Sequence, residues 1–170
     1  QLDPYIIHEA RYKALIEDNI SKVQNTQALK TPLRIGAGML FVNALLSTVF
    51  LILILIGGDT SSLGAGNFIG TIVNVIIGVN LWQVKEQWQR YTVWWASLGL
   101  VLFGVEALVS GNYIGLIIQA GFSGSLILLL AGTPSKARTI IAVVIYSIVY
   151  IGLVCLAFAV SLFGGLASTS

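Results

Sequence analysis

Long apolar runs dominate the chain after residue 32. Five segments, at about 33–56, 68–84, 92–109, 113–131 and 139–163, consist almost entirely of apolar residues and are separated by short polar or glycine-rich stretches. A transmembrane helix needs about 20 apolar residues, with a range of roughly 17–25, and each segment is close to that length. Because the segments are apolar on all sides and do not alternate, they indicate helices rather than strands. The pattern predicts an all-α fold, a polytopic transmembrane helical bundle with about five spans.

The first 32 residues form the polar region of the chain and are predicted to be a separate segment from the transmembrane domain at 33–170. Apolar residues recur there at helical spacing, namely Tyr12, Leu15, Ile16, Ile20 and Val23. We expect an amphipathic helix over residues 5–23 that lies at the membrane face or against a partner protein. Thr31 and Pro32 are predicted to end this helix and to start the next one, since proline suits a first turn.

The composition supports a membrane environment. The chain has 170 residues, of which 56% are hydrophobic and 9% are charged, and its mean hydropathy is +0.90. Soluble domains carry about 25% charged residues. There is too little charge here to cover a surface that faces water, so the lipid bilayer is the first partner that the sequence predicts.

The basic residues indicate how the chain is oriented in the membrane. All nine Lys and Arg residues lie in the N-terminal segment and its junction with the first span, between the second and third spans, or between the fourth and fifth. With five spans these regions fall on one side, which the positive-inside rule assigns to the cytoplasm or stroma. Five aromatic residues of an interfacial belt lie on the same side: Trp82, Trp88, Tyr91, Trp94 and Trp95. An aromatic binding site is the alternative interpretation of this cluster.

An internal repeat links the second and fourth spans. Gly66-Asn67-Phe68-Ile69-Gly70 corresponds to Gly111-Asn112-Tyr113-Ile114-Gly115, which suggests two parallel hairpins. The repeat defines two stripes with a spacing of four residues: Gly66, Gly70, Asn74 and Gly78 in one, and Gly111, Gly115, Gln119 and Ser123 in the other. Small residues at this spacing allow helices to approach closely, so both stripes are predicted packing faces. We expect Asn74 and Gln119, at equal depth, to face each other, with Tyr150 as the next candidate partner. A solute path lined by the two amides is the alternative.

Apart from Arg34 at the very start of the first span, Glu106 is the one acid or base within a predicted span. Intramembrane carboxylates are costly and mark candidate functional sites. Glu106 lies about four residues, or roughly 6 Å, from the outer end of its span, so it can also reach water or headgroups. A structural contact, binding of a proton or cation, and coordination of a cofactor metal such as a chlorophyll magnesium remain open for this residue.

The sequence contains no catalytic constellation. His8, the one histidine, lies in the polar N-terminal segment, which excludes a Ser/His/Asp triad and His-based metal clusters. The basic residues are few and flank the spans, so no nucleic-acid binding is predicted. We predict no metal site and no cofactor, while a bound lipid or pigment at the helix interfaces remains open.

The start of the chain, from Leu2-Asp3-Pro4-Tyr5 through His8-Glu9-Ala10-Arg11-Tyr12-Lys13, together with the spans that follow, resembles small uncharacterised multi-pass thylakoid membrane proteins of cyanobacteria and chloroplasts. This resemblance implies a thylakoid membrane and a link to photosynthetic complexes, with the basic side facing the stroma or cytoplasm. A bacterial plasma membrane is the other location that fits.

Two functions follow as expectations. The first is a non-enzymatic membrane protein that serves as a subunit or as an assembly or accessory factor of a larger membrane complex, with other membrane subunits as partners. The alternative is a small channel or transporter for an ion or small solute that uses Glu106 and the intramembrane amides.

Overall fold

The protein is all-helical in the parts that its computed structural model describes. The backbone is described for residues 4–57, 65–111 and 113–167, and the side chains for residues 11–24, 26–53, 55–56, 68–111 and 113–155. Within these ranges there are five helices: α1 (Pro4–Gly57), α2 (Ala65–Trp82), α3 (Gln87–Ser110), α4 (Tyr113–Leu130) and α5 (Lys136–Ala167). The helical bundle predicted from the sequence is therefore confirmed.

Helix α1 is continuous from the polar N-terminal segment into the membrane region. It runs for 54 residues and includes Pro32 in its interior. The break predicted at Thr31 and Pro32 is therefore wrong. A proline inside a helix removes one backbone hydrogen bond and costs about 3 kcal/mol. Pro32 and Leu33 are both buried, and this burial offsets the loss.

Four helices contain stretches that are long and apolar enough to cross a bilayer. These stretches are Arg11–Leu53 of α1, Gln87–Ser110, Tyr113–Leu130, and Lys136–Cys155 of α5. The described apolar part of α2, Phe68–Trp82, is shorter. Complete α2 has 18 residues and is about 27 Å long, close to the roughly 30 Å of a hydrocarbon core.

The helices pack mainly with their neighbours in sequence. α1 packs along α2, and α4 packs along both α3 and α5, whereas the contacts between α1 and α4 and between α2 and α3 are both sparse. The buried core includes Leu33 and Leu40 of α1, Leu81 of α2, and Leu126 and Leu130 of α4. These residues lie toward the end of the bundle where α1 leaves its polar segment. The opposite halves of the helices mostly expose apolar side chains, as expected for surfaces that face lipid.

Six of the nine basic residues lie near that end of the bundle, which we call the basic end: Lys30, Arg34, Lys85, Arg90, Lys136 and Arg138. The Arg34 guanidinium of α1 lies 5.5 Å from the centre of the Trp82 ring, a cation–π distance. Across the next pair of helices, the Gln89 amide of α3 donates to the Leu130 carbonyl of α4. The Arg138 guanidinium of α5 donates to the Ala131 carbonyl. The basic residues around α1, the α2–α3 turn and the α4–α5 turn are thus brought together in space.

Three turns contain left-handed backbone, one of them at Gly132, which has φ 93° between α4 and α5. Gly111 has φ 74° and ends α3, and its N–H donates to the Ala107 carbonyl at 2.9 Å. Glycine adopts this conformation without a steric penalty. The turn between α2 and α3 contains Val84 at φ 59°, which is an outlier for a β-branched residue. This turn is shorter than the gap between the spans predicted at about 68–84 and 92–109, because α3 already begins at Gln87 and places Trp88 against the core.

Candidate functional site

The amide of Asn74 joins α2 to α3. The Trp95 Nε1–H donates to Asn74 Oδ1 at 3.0 Å, and both side chains are partly buried. Each residue lies eight positions from the α2–α3 turn, so the bond is about 12 Å deep by the helical rise. At this depth an unpaired amide oxygen costs several kcal/mol, and the indole N–H removes that cost.

The amide of Gln119 lies at a different interface, between α4 and α3. Its Nε2 donates to Ser123 Oγ at 2.9 Å, one turn along α4. A Cβ added to Gly99 of α3 would lie 2.8 Å from Gln119 Nε2, so this amide packs directly on the glycine. Asn74 and Gln119 therefore do not face each other as expected, since each amide has a closer partner.

A third polar contact joins α5 to α1. The Tyr146 hydroxyl lies 2.9 Å from the Met39 carbonyl and 3.0 Å from Asn43 Oδ1. Tyr146 is buried, and its ring stacks at a tilt on Phe122 of α4 with 5.2 Å between ring centres. The sequence does not pair these side chains, because they are more than 100 residues apart.

The residues of the first predicted stripe differ in how closely they pack against another helix. A Cβ at Gly78 would lie 2.8 Å from Phe41 Cε1, so α2 packs closely on α1 at this position. A Cβ at Gly70 would meet no atom within 4 Å. The packing role predicted for Gly70 is therefore not seen among the described residues, none of which comes within 4 Å of that point on α2.

The second stripe begins one turn later than predicted. Gly111 lies in the turn before α4 and not on its packing face, since α4 begins at Tyr113. Gly115 and Ser123 belong to α4 and are partly buried and fully buried, respectively. The surroundings of Gly66 lie outside the described residues.

Two glycines outside the predicted stripes also make close contacts between helices. Gly99 accommodates Gln119, and a Cβ at Gly121 of α4 would collide with Val149 of α5. Neither residue belongs to the repeat, and the sequence argument missed them. Their signal is a glycine in the interior of an apolar helix, where it weakens the helix unless close packing requires it.

Glu106 does not join the amides. It is an exposed residue of α3, and its backbone carbonyl accepts a hydrogen bond from Ser110 Oγ at 2.8 Å. Across the described residues, no three His, Cys, Asp or Glu side chains are grouped as a metal ion would require. The polar side chains thus form separate contacts at separate helix pairs.

An open groove lies between α2 and α3. Its volume is about 690 Å³. One wall consists of Val73, Ile76 and Ile77 of α2, and the other is the face of α3 that carries Gln87, Trp88, Tyr91, Trp94, Trp95 and Leu98. Pockets of 300–1,000 Å³ with apolar and aromatic walls are typical of small-molecule sites. Four of the five aromatic residues predicted to form an interfacial belt therefore line one groove.

Comparison with known proteins identifies no relative of this chain. No protein-family model, no curated protein and no solved structure matches this chain.

Proposed function

We propose that this integral membrane protein is a non-enzymatic subunit or accessory factor that docks on a larger membrane complex through the N-terminal part of α1. The proposal rests on residues 11–28 of α1, which we call the arm. One face of the arm is an uncovered apolar stripe. Its members are Tyr12, Leu15, Ile16, Ile20 and Val23, whose exposed fractions range from 43% to 69%. At 100° per residue these positions fall within about 140° of the helix circumference, as on a packing face.

The arm is unsuited to lie flat on the bilayer. It continues α1 without a turn, and Val23 lies ten residues, or about 15 Å, before Leu33 of the buried core. Thr26 Oγ1 donates to Glu86 Oε1 at 2.7 Å, which ties the arm to the α2–α3 turn. An apolar stripe that is held away from the hydrocarbon needs another protein to cover it.

The orientation and location complete the proposal. The clustering of basic residues at the basic end supports a cytoplasmic or stromal N-terminus, by the positive-inside rule. The arm then meets its partner in the cytoplasm or stroma. A thylakoid membrane, with a photosynthetic complex as the partner, rests only on the resemblance of the first thirteen residues and the spans to thylakoid proteins.

A matched pair of variants tests the docking proposal. I16D/I20D places two charges on the stripe, whereas A14D/S21D places two charges on the opposite face of the same helix, where both residues are exposed. Tagged protein is purified from its native membrane in mild detergent and separated by native electrophoresis. We expect wild type and A14D/S21D to migrate with a larger assembly and I16D/I20D to migrate alone. A wild-type protein that migrates alone, or equal release of both variants, contradicts the proposal.

The channel or transporter alternative has less support. A conducting path needs polar groups that line a common space, whereas Asn74, Gln119 and Asn43 are engaged at three separate interfaces. Glu106 is exposed and apart from all three. A flux assay in liposomes decides this point by comparing the wild type with Glu106→Gln, and flux that depends on Glu106 would favour the alternative.

A further inference from the structure

The groove between α2 and α3 has the length of one membrane leaflet. Its α3 wall runs from Gln87, at the basic end, to Leu98, eleven residues deeper. This corresponds to about 16 Å by the helical rise, or half of a hydrocarbon core that is about 30 Å thick. The groove therefore begins at the headgroup level and ends near the bilayer midplane, as a lipid acyl chain does.

The groove is uncovered along this length. Trp94 is 76% exposed, and Tyr91 and Leu98 are also exposed. At the deep end, the hydrogen bond between Trp95 and Asn74 satisfies two polar groups. The rest of the wall at the deep end is apolar. Every buried side-chain nitrogen and oxygen among the described residues already has a hydrogen-bond partner, so none is left to bind a polar ligand group there. An apolar chain fits this wall, and a ligand with a polar deep end does not.

The shallow end of the groove carries two positive charges. Asn80 lies one turn beyond Ile76 and Ile77, on the face of α2 that lines the groove, and it holds the Lys85 ammonium at 2.8 Å. Arg90 lies three residues after Gln87 and four before Trp94, so it borders the α3 wall and is exposed.

Neither charge is held in an ion pair by the part of the chain that is described, where the one ion pair joins Lys22 to Asp18 on the arm. The Glu86 carboxylate lies in the same turn and accepts a hydrogen bond from Thr26 of the arm. Lys85, Glu86 and Arg90 together therefore leave a net positive charge at the shallow end of the groove. Basic residues at the cytoplasmic end of a cleft between membrane helices are suited to anionic lipid headgroups.

We propose that the α2–α3 groove binds one anionic phospholipid, with an acyl chain along the aromatic wall and the headgroup phosphate at Lys85 and Arg90. The site is independent of the docking role proposed for the arm. It accounts for the sparse contact between α2 and α3, because the lipid chain fills the space between them.

Quenching of tryptophan fluorescence by brominated lipids tests this site. Of the four tryptophans, three line the groove, so a Trp82→Phe background restricts the signal to the groove. The full chain is reconstituted into phosphatidylcholine vesicles that contain increasing fractions of brominated phosphatidylglycerol or, in parallel, brominated phosphatidylcholine. We expect half-maximal quenching at a phosphatidylglycerol fraction about fivefold or more below that for phosphatidylcholine.

Two double variants assign the preference to the groove. K85Q/R90Q is expected to remove most of the difference between the two lipids. K30Q/K136Q removes two exposed charges at the same end of the bundle and is expected to retain the difference. Unchanged helix content, measured by circular dichroism, shows that each variant is folded.

Three results would overturn the proposal. Equal quenching curves for the two lipids in the wild type would show that the groove does not select an anionic headgroup. An equal loss in both double variants would show that only the overall charge of the basic end matters. Weak quenching by both lipids, in protein that crosslinks as a dimer, would show that a second copy of the chain covers the groove.

Discussion

The Tyr146 hydroxyl of α5 lies 2.9 Å from the backbone carbonyl of Met39 in α1, across 107 positions of sequence. Asn43 Oδ1, one turn further along α1, is 3.0 Å from the same hydroxyl. Helices α1 and α5 are not neighbours in sequence, and their main packing partners are α2 and α4. This tyrosine therefore fixes the last helix against the first and closes the bundle.

Replacement of Tyr146 by phenylalanine is expected to lower the free energy of unfolding by about 1 kcal/mol. The ring, and its contact with Phe122, are kept, whereas the hydrogen bond is lost and Asn43 loses a partner. Hydrogen bonds between membrane helices contribute about 0.6 kcal/mol on average and up to about 1.7 kcal/mol. Unfolding in mixed micelles with increasing SDS measures the difference.

Tyr150 provides the control for this measurement. It lies one turn further along α5, is partly buried, and forms no hydrogen bond to any described residue. Tyr150→Phe is expected to change the stability by less than Tyr146→Phe. If the two variants are equally stable, the hydroxyl of Tyr146 does not hold α5 to α1.

The two glycines of α2 are expected to respond in opposite ways to a larger side chain. Gly78→Leu forces a Cβ to within about 2.8 Å of Phe41 and separates α2 from α1. Overpacking of this kind typically costs about 1–3 kcal/mol. Gly70→Leu meets open space, and leucine is a better helix former than glycine, so this variant is expected to be as stable as the wild type.

Thermal aggregation of both glycine variants in the same detergent compares them directly. Gly78→Ala is a milder probe of the same contact and should fall between the wild type and Gly78→Leu. If Gly70→Leu proves the more damaging substitution, the outer half of α2 packs against a surface outside the described residues.

The fold class was predictable because the bilayer constrains it strongly. Apolar runs of the length of the hydrocarbon core can satisfy their backbone groups only as helices or closed barrels, and the hydropathy pattern decides between the two. The continuity of α1 was not predictable from the same pattern. Pro32 is a reliable local signal for a helix start, but the burial of Pro32 and Leu33 depends on helices that lie far away in sequence.

The partners of the polar side chains were the hardest to predict. Asn74 and Gln119 stand out in the sequence as amides within apolar runs, and each has a polar partner in the structure. Sequence gives the depth of a residue in a span but not the rotation of one helix against another. The expected pairing of the two amides therefore failed, because Trp95 and Ser123 lie closer.

The C-terminus of α4 is expected to depend on Arg138. Its guanidinium donates to the carbonyls of Ala131 and Thr133, the latter at 3.2 Å, and so satisfies groups that the helix leaves unpaired at its end. Hydrogen bonds from a charged group contribute about 1.5–3 kcal/mol, so Arg138→Ala should destabilise the bundle by an amount of this order. Lys136→Ala removes an exposed charge nearby and serves as the control in the same SDS titration.

The hydrogen bond between Trp95 and Asn74 is expected to appear as a coupling between the two residues. Trp95→Phe removes the indole donor and Asn74→Leu removes the amide acceptor. If the bond exists in the membrane, the double variant should be less destabilised than the sum of the single variants, by about 0.6–1.7 kcal/mol. The sign follows because either substitution alone already breaks the bond, and Trp95→Phe also leaves the amide oxygen without its donor.

A second cycle separates this bond from general packing. Ile77 lies on α2 near Asn74 and is buried, but it has no polar group to offer Trp95. The pair Ile77→Val and Trp95→Phe should be additive within about 0.5 kcal/mol, since neither substitution removes a hydrogen bond that the other also removes. Equal coupling in the two cycles would mean that Trp95 acts through its bulk alone, and the deep end of the groove would then contain an unpaired amide oxygen in the wild type. Coupling that is confined to the pair of Asn74 and Trp95 would establish that this bond joins α2 to α3 at the deep end of the groove.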